Sequence, residues 1–92
     1  MSDAEPKAPA GLTYPCEFPL KVFIRPDEAT AARIADAVRA ELAAGAPVTT
    51  ARRLSSTGKY LSLTVNFTAD DAEQLDRVIK AVTADPGVIL AL

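Results

Sequence analysis

The chain has 92 residues and a formal net charge of −2, so it holds one domain at most, with a mild acidic balance that argues against a nucleic-acid-binding role. Hydrophobic residues make up 49% and charged ones 24%, the balance of a globular chain rather than a disordered one. Cys16 is the only cysteine and there is no histidine. That excludes an internal disulfide, removes the commonest general base and leaves no ordinary transition-metal ligand set.

Residues 1–13 read as a disordered tail, with Pro6, Pro9, several alanines and mixed charges, ahead of a domain over residues 14–92. The opening residues have acids and prolines where an export signal would carry basic residues and then an apolar run. No apolar stretch is long enough to span a bilayer, so a cytoplasmic chain without a membrane partner is expected. The first strand is expected from Pro19 to Arg25, with Leu20, Val22 and Ile24 on one face and Lys21, Phe23 and Arg25 on the other. Pro19 is acceptable as a first strand residue, and Pro26 ends the strand.

Asp27 then has the chemistry of an N-cap, and Ala31, Ile34, Ala35, Val38 and Leu42 recur at helical spacing as one apolar stripe. Gly45 and Pro47 form the stop. Val48 to Leu54 predicts a second strand, in which Arg52 and Arg53 put one charge on each face, as edge strands do. Gly58 marks a turn over Ser55 to Lys59. After it, Leu61, Leu63, Val65 and Phe67 alternate with Tyr60, Ser62, Thr64 and Asn66, which gives a third strand with one buried and one open face.

A second helix opens near Asp70, where Asp70 with Glu73 and Thr68 with Asp71 both have capping-box spacing. Ala72, Leu75, Val78, Ile79 and Val82 form its buried stripe. Asp85-Pro86-Gly87 breaks the helix before a final short strand, Val88 to Leu92. The order βαββαβ predicts an α+β, ferredoxin-like sandwich: a four-stranded antiparallel sheet with both helices on one face, strands one and three central.

The charges divide by layer. Residues 19–25 and 47–66 carry Lys21, Arg25, Arg52, Arg53 and Lys59 with no acid, while the helical segments hold nine acids against four basic residues. Helix N-termini favour acids and edge strands favour cations, which accounts for this without any function. The functional alternative is an open sheet face that receives an anionic or protein partner, with Phe23 as its marker.

Gly58-Lys59 resembles the end of a phosphate-binding loop, but Arg53 stands where the first glycine belongs and Tyr60 where Ser or Thr belongs. RNA-recognition motifs share the βαββαβ order and stack bases on outward aromatics of their third strand. Here that strand offers only Tyr60, followed by Ser62 and Thr64. RNA binding through the open face is therefore the alternative reading, and nucleic acid is not the expected partner.

Three stretches carry a resemblance to a known family: Tyr14-Pro15-Cys16-Glu17-Phe18-Pro19-Leu20-Lys21-Val22, Ser55-Ser56-Thr57-Gly58-Lys59-Tyr60-Leu61-Ser62, and Glu73-Gln74-Leu75 with Asp85-Pro86-Gly87-Val88. Over residues 14–92 the chain resembles the YbeD-like family of small bacterial proteins, related in fold to the ACT regulatory domains. Relatives usually carry a glycine shortly after the Lys-Val of strand one, where this chain has Phe23-Ile24-Arg25. The resemblance implies no catalytic residue and no cofactor. The expected function is a small non-enzymatic regulatory or interaction module that self-associates or binds a protein partner, with a small anionic ligand as a further option. The candidate contact residues are Glu17, Lys21, Phe23, Arg25, Ser55, Ser56, Lys59 and Tyr60, with Glu17, Lys21 and the turn residues expected to lie close together.

Overall fold

The computed structural model describes residues 11–91. The tail expected over residues 1–13 lies outside the described residues up to position 10, and Leu12 and Tyr14 pack half-buried against the core. The elements follow in the order β1 (Cys16–Ile24), α1 (Glu28–Ala40), β2 (Thr49–Leu54), β3 (Leu61–Ala69), α2 (Ala72–Thr83) and β4 (Val88–Ala91). The four strands form one antiparallel sheet ordered β2-β3-β1-β4, the ferredoxin-like arrangement.

The core follows from period two meeting period 3.6. Leu20, Val22 and Ile24 of β1, together with Leu61, Leu63, Val65, Phe67 and Ala69 of β3, turn one face inward. Ile34 and Val38 of α1 and Leu75, Val78 and Val82 of α2 close on that face with no exposure at all. β2 has no buried residue along its length, because the helices cover β1 and β3 and leave this edge open. Arg52 lies on its helix-facing side and reaches across to the Glu28 carboxylate, while Arg53 lies on the open side.

Local details depart from expectation in three places. β1 begins at Cys16, so Pro19 sits inside the strand opposite Asn66 rather than at its start. β4 pairs only with Val22 to Ile24, so Pro19 lies where β1 has a single neighbour and its missing N–H costs no second ladder. α1 ends at Ala40 with Glu41 as C-cap, and Leu42 packs half-buried beyond it.

The third departure is the cap of α2, which is Asp71 rather than Asp70 or Thr68. Its carboxylate accepts from Gln74 N–H at 2.8 Å, and Gln74 Oε1 accepts from Asp70 N–H at 2.7 Å. β3 runs on through buried Ala69, which moves the start of the helix one residue downstream. Gln74 is itself buried and donates through Nε2 to Glu41 O at 3.2 Å, tying the two helices together. Ala72, expected in the stripe, is exposed.

The Asp85-Pro86-Gly87 turn is locked onto the start of α1. Arg33 grips the Asp85 carboxylate with both Nε (2.9 Å) and Nη2 (3.1 Å), and Nη2 also donates to Thr30 Oγ1 at 3.0 Å. Thr30 Oγ1 donates in turn to Asp27, whose carboxylate caps α1 at Ala29 N–H. The Arg33 guanidinium, helped by Gly87 N–H and opposed by burial, holds the Asp85 carboxyl below the usual carboxylate range. A depressed carboxyl stabilises the fold fully above the ordinary value near 4 and loses that contribution as pH falls through the lower folded value. Thermal melts from neutral pH downward should therefore show an acid-side loss that is diminished in Asp85→Asn, whose melting temperature is already lower at pH 7. An unchanged acid limb would remove this pair from the account.

Candidate functional site

The sheet face opposite the helices is uncovered, and its strand register sets side chains in rows. One row crosses all four strands: Arg53 of β2, Ser62 of β3, Phe23 of β1 and Leu90 of β4. The row beside it holds Ala51, Thr64 and Lys21, and beyond that lie Asn66 opposite Pro19 and Thr68 opposite Glu17.

At the β4 end the face turns apolar. Tyr60, just before β3, meets Phe23 edge to face, with ring centroids 5.6 Å apart and planes at 90°. The pairing of β1 with β4 shifts between Phe23 and Ile24, a bulge that leaves both Ile89 and Leu90 exposed. Phe23, Tyr60, Ile89 and Leu90 together line a shallow depression of about 260 Å³. Ile89 and Leu90 are 59% and 51% exposed, more than core strands allow. Around them stand Lys21 and Arg53 on the face, with exposed Arg25 and Lys59 beside the cluster in the chain.

The expected contact residues therefore divide. Phe23 and Tyr60 touch, and Arg25 and Lys59 flank them. Lys21 sits opposite Thr64, one row removed. Glu17 does not join the group: it pairs with Thr68, at the far end of β1 from Tyr60. With β1 and β3 antiparallel, six residues of extended chain put it about 20 Å from Phe23. The antiparallel direction was the available signal, since it sets the start of β1 beside the end of β3.

Ser55 has a structural task. Its Oγ accepts from Lys59 N–H (3.1 Å) and Tyr60 N–H (3.2 Å), while its carbonyl accepts from Gly58 N–H at 2.9 Å. Gly58 takes a φ of +73°, the left-handed conformation that suits glycine in this turn. The turn amides that could have cradled an anion are thus committed to Ser55. Ser56 is exposed in the turn.

Ile89 and Leu90 are the members that sequence reading missed. Val88 to Leu92 is apolar throughout, so it shows no alternation and hides which side chains face outward. The usable signal was that an edge strand covered on one face has no need of so many apolar residues.

A second groove, of about 360 Å³, lies toward the Glu17 end of the sheet among Pro19, Pro47, Thr49, Asn66 and Thr68. Nearby, burial pushes the Tyr14 phenol up, and so do the charges of Cys16, Asp76 and Asp71; its Oη is buried without a hydrogen-bond partner among the described residues. Among those residues no three of His, Cys, Asp and Glu gather where they could hold a metal ion. No described helix is long and apolar enough to cross a membrane.

Comparison with known proteins identifies the lineage of this sheet. A family model described as a protein of unknown function, DUF493, matches residues 9–92. The chain belongs to the DUF493 family. The resemblance carried by the Tyr14–Val22 and Ser55–Ser62 stretches is thus confirmed, since DUF493, UPF0250 and YbeD name the same group of small uncharacterised bacterial proteins.

Among relatives, a UPF0250 protein of Chromobacterium violaceum is 33% identical over 79 residues, covering 86% of this chain and 89% of its own. A UPF0250 protein of Paraburkholderia phytofirmans is 37% identical over 82 residues, with the same shares covered. One from Ralstonia nicotianae is 36% identical over 92 residues, covering 97% and 92%. The solution structure of protein HP0495 from H. pylori superposes with a TM-score of 0.75 at 13% identity, over 98% of this chain and 90% of that one, and shares the fold.

Proposed function

We propose that the chain is a non-enzymatic interaction module that receives a protein partner on the β4 end of its open sheet face. One observation carries the reading. Among the described residues four large apolar side chains are exposed, and three of them, Tyr60, Ile89 and Leu90, converge around Phe23. Scattered exposed apolar residues need no explanation, but a contiguous group rimmed by charge is the usual mark of an interaction surface.

The distribution of titratable groups supports the non-enzymatic part. Catalysis draws on side chains whose proton affinities are shifted inside a cleft. Here Arg33 and Asp85 are shifted by gripping one another in a structural turn, and Tyr14 is raised chiefly by burial; none of the three lines the Phe23–Tyr60–Ile89–Leu90 depression. The edge-to-face contact of Tyr60 with Phe23 also disfavours RNA, because bases stack on rings that lie open and flat.

A photoreactive amino acid at position 89 tests the reading in the native cell. The Ile89 variant should form discrete covalent adducts with another polypeptide on illumination. The same group at Asn66, at the other end of the same face, should form few. Adducts spread equally over both positions, or none at either, would overturn the assignment of this surface.

A further inference from the structure

We infer that the partner presented to this surface is an acidic segment in extended conformation, which adds as a fifth strand to the outer edge of β4, unpaired among the described residues, and lays alternate apolar side chains on the Phe23–Tyr60–Leu90 cluster. The inference rests on the interaction reading above and specifies the chemistry of the occupant.

The first argument is the edge itself. β4 ends the sheet, and Val88–Ala91 carries no charge. An exposed strand edge offers unpaired N–H and C=O groups, and proteins normally guard it with charge, proline or a cover. The opposite edge, β2, is guarded: Arg52 and Arg53 point to its two faces and Arg52 is tied to Glu28. At β4 the bulge shortens the regular ladder and aims Ile89 and Leu90 outward, so the edge suits a short segment rather than a long strand. Strand addition of this kind draws affinity from main-chain hydrogen bonds and selectivity from pockets that take alternate side chains.

The second argument is charge. Lys21 and Arg53 stand on the open face by register, exposed Arg25 and Lys59 adjoin the cluster in the chain, and the acid placed by register on that face among the described residues is Glu17, about 20 Å away by strand geometry. A segment carrying Asp or Glu beside its apolar residues meets these cations, with Glu17 the one acid that register sets on the same face among the described residues. A second copy laid face to face would instead set the same cations against one another.

The third argument is size. A depression of about 260 Å³ takes one or two anchoring side chains. Its four lining residues are far fewer than the roughly 20–30 residues a side of a stable globular interface. A linear segment is the partner that matches these dimensions.

The test uses the full chain with a short synthetic peptide that alternates glutamate with valine and isoleucine, its lysine counterpart, and an acidic peptide whose alternate residues are proline. The acidic peptide should bind with an affinity that falls as salt is raised, and should slow hydrogen exchange at β4 amides. Leu90→Asp and Ile89→Asp, both at exposed positions with the core spectrum intact, should weaken binding by about tenfold or more. The proline peptide, unable to complete the ladder, should bind poorly. Equal binding of the lysine peptide, or protection confined to the helices, overturns the inference. So does a dimeric mass that Leu90→Asp reduces to monomer, because the occupant is then a second copy. Occupation of the face by single-stranded RNA or anionic vesicles but not by peptide overturns it as well. If Ile89 yields polypeptide adducts in cells while the acidic peptide fails, the interaction reading stands and only the chemistry of the partner falls.

Discussion

Leu63→Ala is expected to lower the stability of the domain by about 2–5 kcal/mol, the range for emptying a buried leucine site. Leu63 is 1% exposed and lies on the inner face of β3, in register with Val22 of β1 and Arg52 of β2. Its neighbours cannot easily close the gap. Val22 and Val65 are held by the sheet ladder, and Val78 and Val82 belong to a helix capped by Asp71 and pinned through Gln74. Domains of this size hold only about 5–15 kcal/mol in total, so a single truncation removes a large share. At about 4–8 °C per kcal/mol the melting temperature should fall by some 10 °C or more. Urea titration with an unchanged m-value checks that the loss is one of stability. A cost below about 1 kcal/mol would mean that the helix layer collapses into the space, contrary to the rigid packing argued above.

Gly87→Ala should be the most damaging change of a single methyl group. The backbone at Gly87 is ordinary, so the need for glycine here is one of space. A Cβ at that position would stand 2.6 Å from Thr30 Cγ2, 3.0 Å from Thr30 Oγ1 and 3.2 Å from Asp85 Oδ1. Thr30 cannot step aside. It is 2% exposed, and its hydroxyl is engaged by Asp27 and Arg33. Gly87 cannot move freely either, because its N–H donates to Asp85 and its carbonyl accepts from Arg25 N–H at 3.0 Å.

The expected cost of Gly87→Ala is about 1–3 kcal/mol, typical of overpacking. Thr30→Ser removes the nearest atom, so the double variant should recover part of it, with a coupling of about 0.5–3 kcal/mol in a double-mutant cycle. Strict additivity would show that the clash is relieved by moving β4 instead. In that case Ile89 and Leu90 would shift with the strand, and amide chemical shifts over Val88–Ala91 should report it.

The proposed interaction surface depends on this turn more than its distance from Thr30 suggests. Arg33, Asp85 and Gly87 fix where β4 begins, and the bulge that follows decides that Ile89 and Leu90 are both exposed beside Phe23. A lesion in the turn should therefore weaken partner binding without touching the partner.

How much of this was legible beforehand differs by element. β3 was readable because strict alternation has one solution: Leu61, Leu63, Val65 and Phe67 cannot all face inward in any other secondary structure. α2 was readable for the same reason at period 3.6, and Asp27 as a cap because only a short acceptor side chain suits that position. The edge position of β2 was legible in Arg52-Arg53, since a central strand could not solvate a charge on each face.

Register and bulges were not legible, because both come from pairing with residues far along the chain. The expected closeness of Glu17 to Lys59 and Tyr60 failed on register alone: the residues face the same side but lie at opposite ends of the sheet. The structural task of Ser55 was hidden too: its hydroxyl accepts from Lys59 and Tyr60 N–H and closes the turn. The burial of Gln74 was hidden as well, because its amide donates to the Glu41 carbonyl at the end of the other helix.

The order of elements, the inward faces of β1, α1, β3 and α2 and the core they form are thus properties of the local pattern, since the spacing of apolar residues admits one inward face in each of these four. The apolar cluster on the open face is not such a property. Phe23, Tyr60, Ile89 and Leu90 come from three separate parts of the chain, and no periodicity relates them. They meet because an antiparallel register aligns Phe23 with Leu90, a bulge turns Ile89 the same way, and a turn closed by Ser55 holds Tyr60 over the Phe23 ring. Long-range pairing decides each of those steps.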